Sequence, residues 1–274
     1  MKVPQARSWL FVPGDRPPLF AKAAASAADV VVLDLEDAVA PADKDRARAE
    51  VARYTAAHPA YVRVNAADTE FHAADVAAFG AGSAVLGLVV PKVDDPDDVS
   101  RTVRHLRTDV PVVALVETAA GVENASLIAA HPATARLAFG SVDFGLDVAA
   151  LGDGEEMLYA RSRLVIASRA AGIAAPVDGV TTDLDDARRT TADAVRARRL
   201  GFGGKLCVHP RQAESVNAAF TPSAEEIRWA ERVVAAMSAS GGSAVRVDGQ
   251  MIDHPRLMSA RRILQAAPDA RAGH

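Results

Sequence analysis

The chain has 274 residues, half of them hydrophobic and 24% charged, the balance of an ordinary globular protein and not of a disordered one. A formal net charge of −4 excludes a general pull toward nucleic acid or anionic membrane, so any anionic ligand must be met by a local cluster of Lys or Arg. The single cysteine excludes an intramolecular disulfide and a structural zinc site built from several cysteines, and it fits a reducing, cytoplasmic setting.

The first apolar stretch, around Trp9–Val12, is too short for a signal-peptide core or a membrane span, so a soluble protein with no membrane partner is expected. It is also the first of eight short runs that end in polar or glycine-rich residues, each followed by a helical pattern. In chain order they are Trp9–Pro13, Val30–Asp34, Tyr61–Asn65, Gly87–Pro91, Pro111–Glu117, Arg136–Gly140, Ala174–Val177 and Gly204–Val208. Val30–Leu33 and Val112–Val116 are apolar at consecutive positions, the pattern of parallel strands buried on both faces. Ala-rich amphipathic segments such as Pro41–Tyr54, Pro96–Leu106, Glu155–Ala171 and Leu184–Leu200 are long enough for crossover helices.

Eight strand–helix units in one chain of this length predict a (β/α)8 TIM barrel, placed at residues 1–220. The competing reading, a doubly wound open sheet, usually has fewer units and a Gly-rich first turn, and no GxGxxG follows the first strand. Gly201-Phe202-Gly203-Gly204-Lys205 resembles a phosphate loop only superficially: it precedes a strand where a phosphate loop follows one, and reads as a helix-to-strand turn.

Residues 221–274 are surplus to the barrel and form a helical extension. A helix is expected over Thr221–Ser240, a strand-like run over Ser243–Asp248 and a final helix from Pro255 to Ala267, with Asp269–His274 expected to fray.

In such a barrel the chemistry lies where the strands end. Those ends carry Asp34-Leu35-Glu36-Asp37, Arg63-Val64-Asn65, Pro91-Lys92, Glu117-Thr118, Gly140-Ser141-Val142-Asp143 and His209-Pro210. Glu117 follows five apolar residues directly, and Asp143 is expected to emerge from the neighbouring strand after a short loop containing Gly140. Two carboxylates converging from adjacent strands repel each other, and a divalent cation such as Mg2+ resolves the conflict. The alternative for either acid is a solvated helix cap. Arg63, inward on its strand with Tyr61, suits a carboxylate, the substrate's or that of Glu36 or Asp37. Lys92 and Lys205 raise Schiff-base chemistry, which leaves the acid pair without a purpose. Cys207 reads as a small buried hydrophobe, and Asp183, Asp185 and Asp186 as the acidic entry to a helix.

With these residues in place the chain resembles the citrate lyase beta-subunit-like family of the HpcH/HpaI aldolase group, which includes malyl-CoA and citramalyl-CoA lyases. The carriers are Leu10–Gly14, Leu33–Val39, Arg63–Asn65, Pro91-Lys92, Val116–Thr118, Phe139–Phe144, Tyr159–Ser162, Val208–Pro210 and Gly249–Asp253, and they run through nearly the whole chain.

The resemblance implies that Glu117 and Asp143 bind Mg2+, that Arg63 contacts substrate, and that Lys22, near Arg16, meets the phosphates of a CoA thioester. It implies that His209 and Pro210 line a substrate site for a small keto-acid, and that Asp253 acts from a neighbouring subunit. The extension then packs on that subunit, giving a homo-oligomer, a trimer or a hexamer. Glu36 and Asp37 are expected to order water around the metal. Ser141-Val142 departs from relatives that carry a glutamate here, so a contact at that point differs.

Overall fold

The structure, a computed structural model, describes residues 6–79, 83–106, 110–241 and 243–267. It divides into two compact units, residues 1–217 and 218–274.

In the first unit the strands β1 (Ser8–Pro13), β2 (Val30–Asp34), β3 (Ala60–Arg63), β4 (Val85–Val90), β5 (Val112–Val116), β6 (Thr134–Phe139), β7 (Ala174–Asp178) and β8 (Gly204–Cys207) form a closed parallel barrel in sequence order. β8 returns to pair with β1. With alternating helices this is the (β/α)8 barrel expected from the apolar runs, and the observed strand ends differ from the expected ones by at most two residues.

Burial on both faces explains why the signal was so plain. Trp9, Val32, Tyr61, Val89, Val113, Leu115, Ala138, Val177 and Leu206 fill the barrel interior. Their strand neighbours, among them Leu10, Val62, Val112 and Ala114, are buried on the outward face. All five residues of β5 are buried, so Glu117 leaves the strand from a rigid element.

Local chemistry sets the helix ends. Asp95 and Asp98 form a capping box at the helix Pro96–His105. Asp186 caps the helix Ala187–Leu200, accepting from Arg188 N, and Asp183 accepts from Asp185 N and Asp186 N. That helix ends at Gly201, whose φ of +102° suits glycine, so the Gly201–Lys205 stretch is a helix-to-strand turn.

At the N-terminal floor of the barrel Arg136 is fully buried. It donates to the carbonyls of Ala175 (2.7 Å) and Ala6 (3.1 Å), and its guanidinium lies 5.3 Å from the Trp9 ring centroid. Burial pulls its pKa down to about 10.

The second unit contains the helix Ala224–Ala239, an antiparallel pair β9 (Val245–Val247) and β10 (Gln250–Ile252), and the helix His254–Ala266. Ala230, Val233, Met237, Ile252, Leu257 and Ala260 form its own apolar core. The strand-like run expected at Ser243–Asp248 is thus half of a hairpin. Its turn residues Asp248 (φ 51°) and Gly249 (φ 79°) carry the two positive φ angles of a tight turn, which Asp-Gly favours. Asp253 caps the last helix by accepting from Arg256 N (3.2 Å). The residues expected to fray, Asp269–His274, lie outside the described residues. Among the described residues no helix is long and apolar enough to cross a membrane.

Candidate active site

The C-terminal mouth of the barrel gathers most of the residues read from the strand ends. A cavity of about 350 Å³ opens there, with Phe11, Leu115, Phe139, Val180, Leu206 and Val208 among its apolar walls and Asp34, Asp37, Arg63, Glu117 and Asp143 among its charged ones.

Arg63 is the hub. Its Nε and Nη2 donate to the two carboxylate oxygens of Asp34 at 2.7 and 2.6 Å, a bidentate pair between neighbouring strand ends in register. Its Nη1 lies 2.8 Å from Glu36 and 3.3 Å from Asp37, and its guanidinium sits 4.7 Å from the Phe11 ring centroid. Burial alone would lower the Arg63 pKa, but the charge and hydrogen bonds of Asp34, with Glu36 and Asp37 behind them, raise it. The internal ion-pair reading of Arg63 is therefore realised, and the same guanidinium still lines the cavity.

The turn after β2 is locked from several sides. Asp34 also accepts from Glu36 N (2.9 Å) and Ala38 N (3.2 Å). Lys44, buried beneath the turn, donates to the carbonyls of Leu35 and Glu36, each at 2.7 Å. Glu36 is buried while Asp37 is exposed. Burial pushes the Glu36 carboxyl up, and Arg63 and Lys92 partly offset the rise.

Glu117 is 2% exposed. Its Oε1 accepts from Lys92 N (2.9 Å), across the β4–β5 boundary. Gly140 at the end of β6 leaves the room it needs, since a Cβ there would overlap the Glu117 carboxylate. Burial first, then the negative charges of Glu36 and Asp143, push its pKa up to about 8.

Asp143 does not follow a loop as expected. The helix Ser141–Asp147 starts directly after Gly140, and Asp143 stands in its first turn, partly buried and facing the cavity.

The lysines are placed unlike Schiff-base lysines. Lys92 Nζ pairs with Glu36 Oε1 at 2.8 Å; burial lowers its pKa, but the hydrogen bond and charge of Glu36, together with the charges of Asp37 and Glu117, raise it by more and keep the amine protonated. Lys205 is buried and its ammonium donates to the Gly179 carbonyl. Its pairing residue Asp178 and the inward Leu206 place it on the outer face of β8, away from the interior.

Other expected site residues lie apart from the cavity walls. Arg16 and Lys22 are exposed, the first in the loop after β1 and the second in the last turn of the helix Phe20–Ala24. His209 and Pro210 follow Val208, the last residue of that segment to line the cavity, and lie in the turn before the helix Arg211–Phe220, where His209 Nδ1 accepts from Arg211 N (3.2 Å). Asp253 belongs to the second unit.

Of three supporting residues, Asp34 is legible as a strand-end acid without a role, and Lys44 and Gln212 have no single-sequence signal. Asp34 and Lys44 hold the β2 turn as described. Gln212, 5% exposed, accepts from Val208 N (2.9 Å) and His209 N (3.2 Å) and donates to the Thr181 carbonyl (2.8 Å), tying together the loops after β7 and β8.

The donor set fits Mg2+. Among the described residues no group of three or more His, Cys, Asp and Glu side chains is disposed around one point, so no all-protein cage exists. Mg2+ does not need one, because it is commonly bound through one or two carboxylates with water and substrate oxygens completing its shell. Glu117, whose pKa is raised first by burial and then by the charges of Glu36 and Asp143, and Asp143 itself supply two such carboxylates lining one cavity.

A closed parallel barrel with an acid-lined mouth and a buried arginine defines the class: a (β/α)8 barrel with a charged cavity at the C-terminal ends of its strands. More narrowly, the chain belongs to the HpcH/HpaI aldolase/citrate lyase family, whose pattern matches residues 7–210. It is 39% identical to a citrate lyase subunit beta-like protein of Mycobacterium tuberculosis, over 96% of each chain. It is 37% identical to a (3S)-malyl-CoA thioesterase of Cereibacter sphaeroides, over 95% of this chain and 94% of the relative. Among solved structures it is similar to protein CitE from Mycobacterium tuberculosis in complex with magnesium, acetoacetate and coenzyme A. There the TM-score is 0.85 and the identity 36%, over 96% of this chain and 98% of that one.

Proposed function

We propose that the chain is a Mg2+-dependent carbon–carbon lyase acting on a carboxylated 3-hydroxyacyl-CoA, such as malyl-CoA or citramalyl-CoA, to give a keto-acid and an acyl-CoA. The observation that carries this reading is the meeting of Glu117, Asp143 and Arg63 on one cavity, in a fold whose relatives include proteins crystallised with magnesium and coenzyme A.

Glu117 and Asp143 would hold the metal, which when bound would supply Lewis acidity to the reaction. Arg63 receives the substrate carboxylate; its 3.3 Å contact with exposed Asp37 is its longest, and the one a ligand displaces most easily. Glu36 and Asp37 keep water ordered around the site. The substrate hydroxyl loses its proton to water as the carbon–carbon bond breaks, and the electron pair of that bond becomes an enolate on the thioester fragment. Asp253, supplied by a second copy of the chain in a trimer or hexamer, gives the enolate carbon its proton. Residues 221–274 thus pack on a neighbouring subunit, and Lys22 with Arg16 faces the CoA phosphates.

The test is product analysis with malyl-CoA and citramalyl-CoA in the presence of Mg2+. Equimolar keto-acid and acyl-CoA are expected, with loss on chelation and on Asp253→Asn. Cleavage only of a thioester on an acyl carrier protein would move the chain to the citrate lyase subunit activity. Free CoA with an intact hydroxy-acid would make it a thioesterase. Binding of CoA metabolites without turnover would make it a non-catalytic barrel.

A further inference from the structure

Asp143 rides on a weakly anchored element. The helix Ser141–Asp147 is two turns long and buries only Ser141, Phe144 and Gly145, while Val142, Leu146 and Asp147 are exposed. The last strand-like bond between its chain segment and β5 is Gly140 N to the Val116 carbonyl (3.0 Å), before the helix begins. Beyond it, one hydrogen bond among the described residues joins the helix to the segment 117–123: Asp147 Oδ2 accepts from Ala119 N at 2.7 Å.

The two ends of this bond are informative. Ala119 lies two residues after Glu117, on the backbone that leaves β5, and its N–H starts the helix Ala119–Glu123, so no helix carbonyl accepts from it. Asp147 lies four residues, one helical turn, after Asp143 on the same face. Glu117 is fixed from its other side by Lys92 N. The bond therefore closes a loop: β5, Glu117, Ala119, Asp147, back one turn to Asp143, and down through Gly140 to β6. It restrains the distance between the two carboxylates without touching the cavity, since Asp147 is not among its walls.

We propose that Asp147 is a positioning residue that sets the Glu117–Asp143 separation and so the affinity of the mouth for a divalent cation. This rests on the metal reading above. The role belongs to the hydrogen bond and not to the charge: Asp147 is exposed, and an asparagine oxygen can accept the same N–H.

The experiment titrates Mn2+, as a spectroscopic probe for Mg2+, into the full chain, with binding followed by electron paramagnetic resonance and stability by thermal unfolding. Asp147→Ala is expected to weaken Mn2+ about tenfold, the scale of losing a group that orients a metal ligand. Its unfolding midpoint should stay close to that of the wild type, because the side chain is exposed. Asp147→Asn is expected to bind within about twofold of the wild type. Unchanged affinity in the alanine variant would overturn the proposal. So would equal losses in the alanine and asparagine variants, which would assign the effect to charge. Wild-type protein that binds no Mn2+, or whose binding survives Glu117→Gln, would remove the metal reading itself and this inference with it.

Discussion

The floor and the mouth of the barrel both bury charge, and they balance it differently. At the floor Arg136 gives its protons to two fixed carbonyls and its cationic face to Trp9. What is left over there is the cost of burial, seen in the pKa lowered to about 10, and the buried Tyr61 hydroxyl, which has no hydrogen-bond partner among the described residues. At the mouth five carboxylates, Asp34, Glu36, Asp37, Glu117 and Asp143, meet three cations, Arg63, Lys92 and, beneath the β2 turn, Lys44. Arg63 answers Asp34 and Lys92 answers Glu36, but among the described residues Glu117 has only a backbone N–H as a hydrogen-bond partner. The floor is closed and settled; the mouth retains a negative excess that a bound cation can relieve.

The largest expected effect lies at the mouth. Glu117→Gln should lower lyase turnover by about a thousandfold or more, the scale of losing a group that stabilises developing charge. The metal-free variant should unfold at or above the wild-type midpoint, because a buried carboxylate with a raised pKa has been removed. A fall in stability to match the fall in activity would place Glu117 in the structural class with Arg136. At the floor the pattern should invert. Arg136→Met should cost about 2–4 kcal/mol of stability, through the lost hydrogen bonds to the Ala175 and Ala6 carbonyls, the second of which keeps a donor in Trp9 Nε1, and through lost packing, with kcat/KM of the folded fraction nearly unchanged; denaturant titration and kinetics at low temperature separate the two.

Gln212 stands between these extremes, holding two mouth loops from beneath. Gln212→Leu should cost about 1–2 kcal/mol. It should also lower kcat/KM roughly tenfold, mainly through KM, because the wall residue Val208 and Thr181, the neighbour of the wall residue Val180, would lose their backbone supports without any change at Glu117. An effect on kcat alone would contradict that division.

Much of the barrel was legible because its strands are apolar on both faces, as in Val112–Val116, and because each ends at a polar residue. The first polar residues after those runs, Arg63 and Glu117 among them, are where the cavity formed. Asp143 was found as an acid but given the wrong local structure, since the helix Ser141–Asp147 follows Gly140 without a loop. The hairpin of β9 and β10 was half missed, although Asp248-Gly249 carries the turn chemistry that announces it.

Other features could not be read locally. Lys44 reaches back to Leu35 and Glu36, Gln212 reaches Thr181 and Asp147 reaches Ala119, and only the folded chain brings those partners together. Arg63 shows a subtler limit. The strand pattern gave its direction, but only the structure shows that three acids already hold it.

The charge imbalance at the mouth is tested most directly by titrating Mg2+ into metal-free protein at pH 7, in two buffers of different ionisation enthalpy. With a folded-state pKa of about 8, above its ordinary value, Glu117 is mostly protonated at pH 7 and must lose that proton to bind the metal. Stability contributed by the protonated form is fully present below the ordinary glutamate range and is lost as pH rises through about 8, where Mg2+ should restore it. The expected result is release of close to one proton per Mg2+ bound, affinity that rises toward pH 8 and then levels, and no proton release in Glu117→Gln. Saturable Mg2+ binding without proton release, or proton release that persists in Glu117→Gln, would contradict the assignment of the metal to this carboxylate.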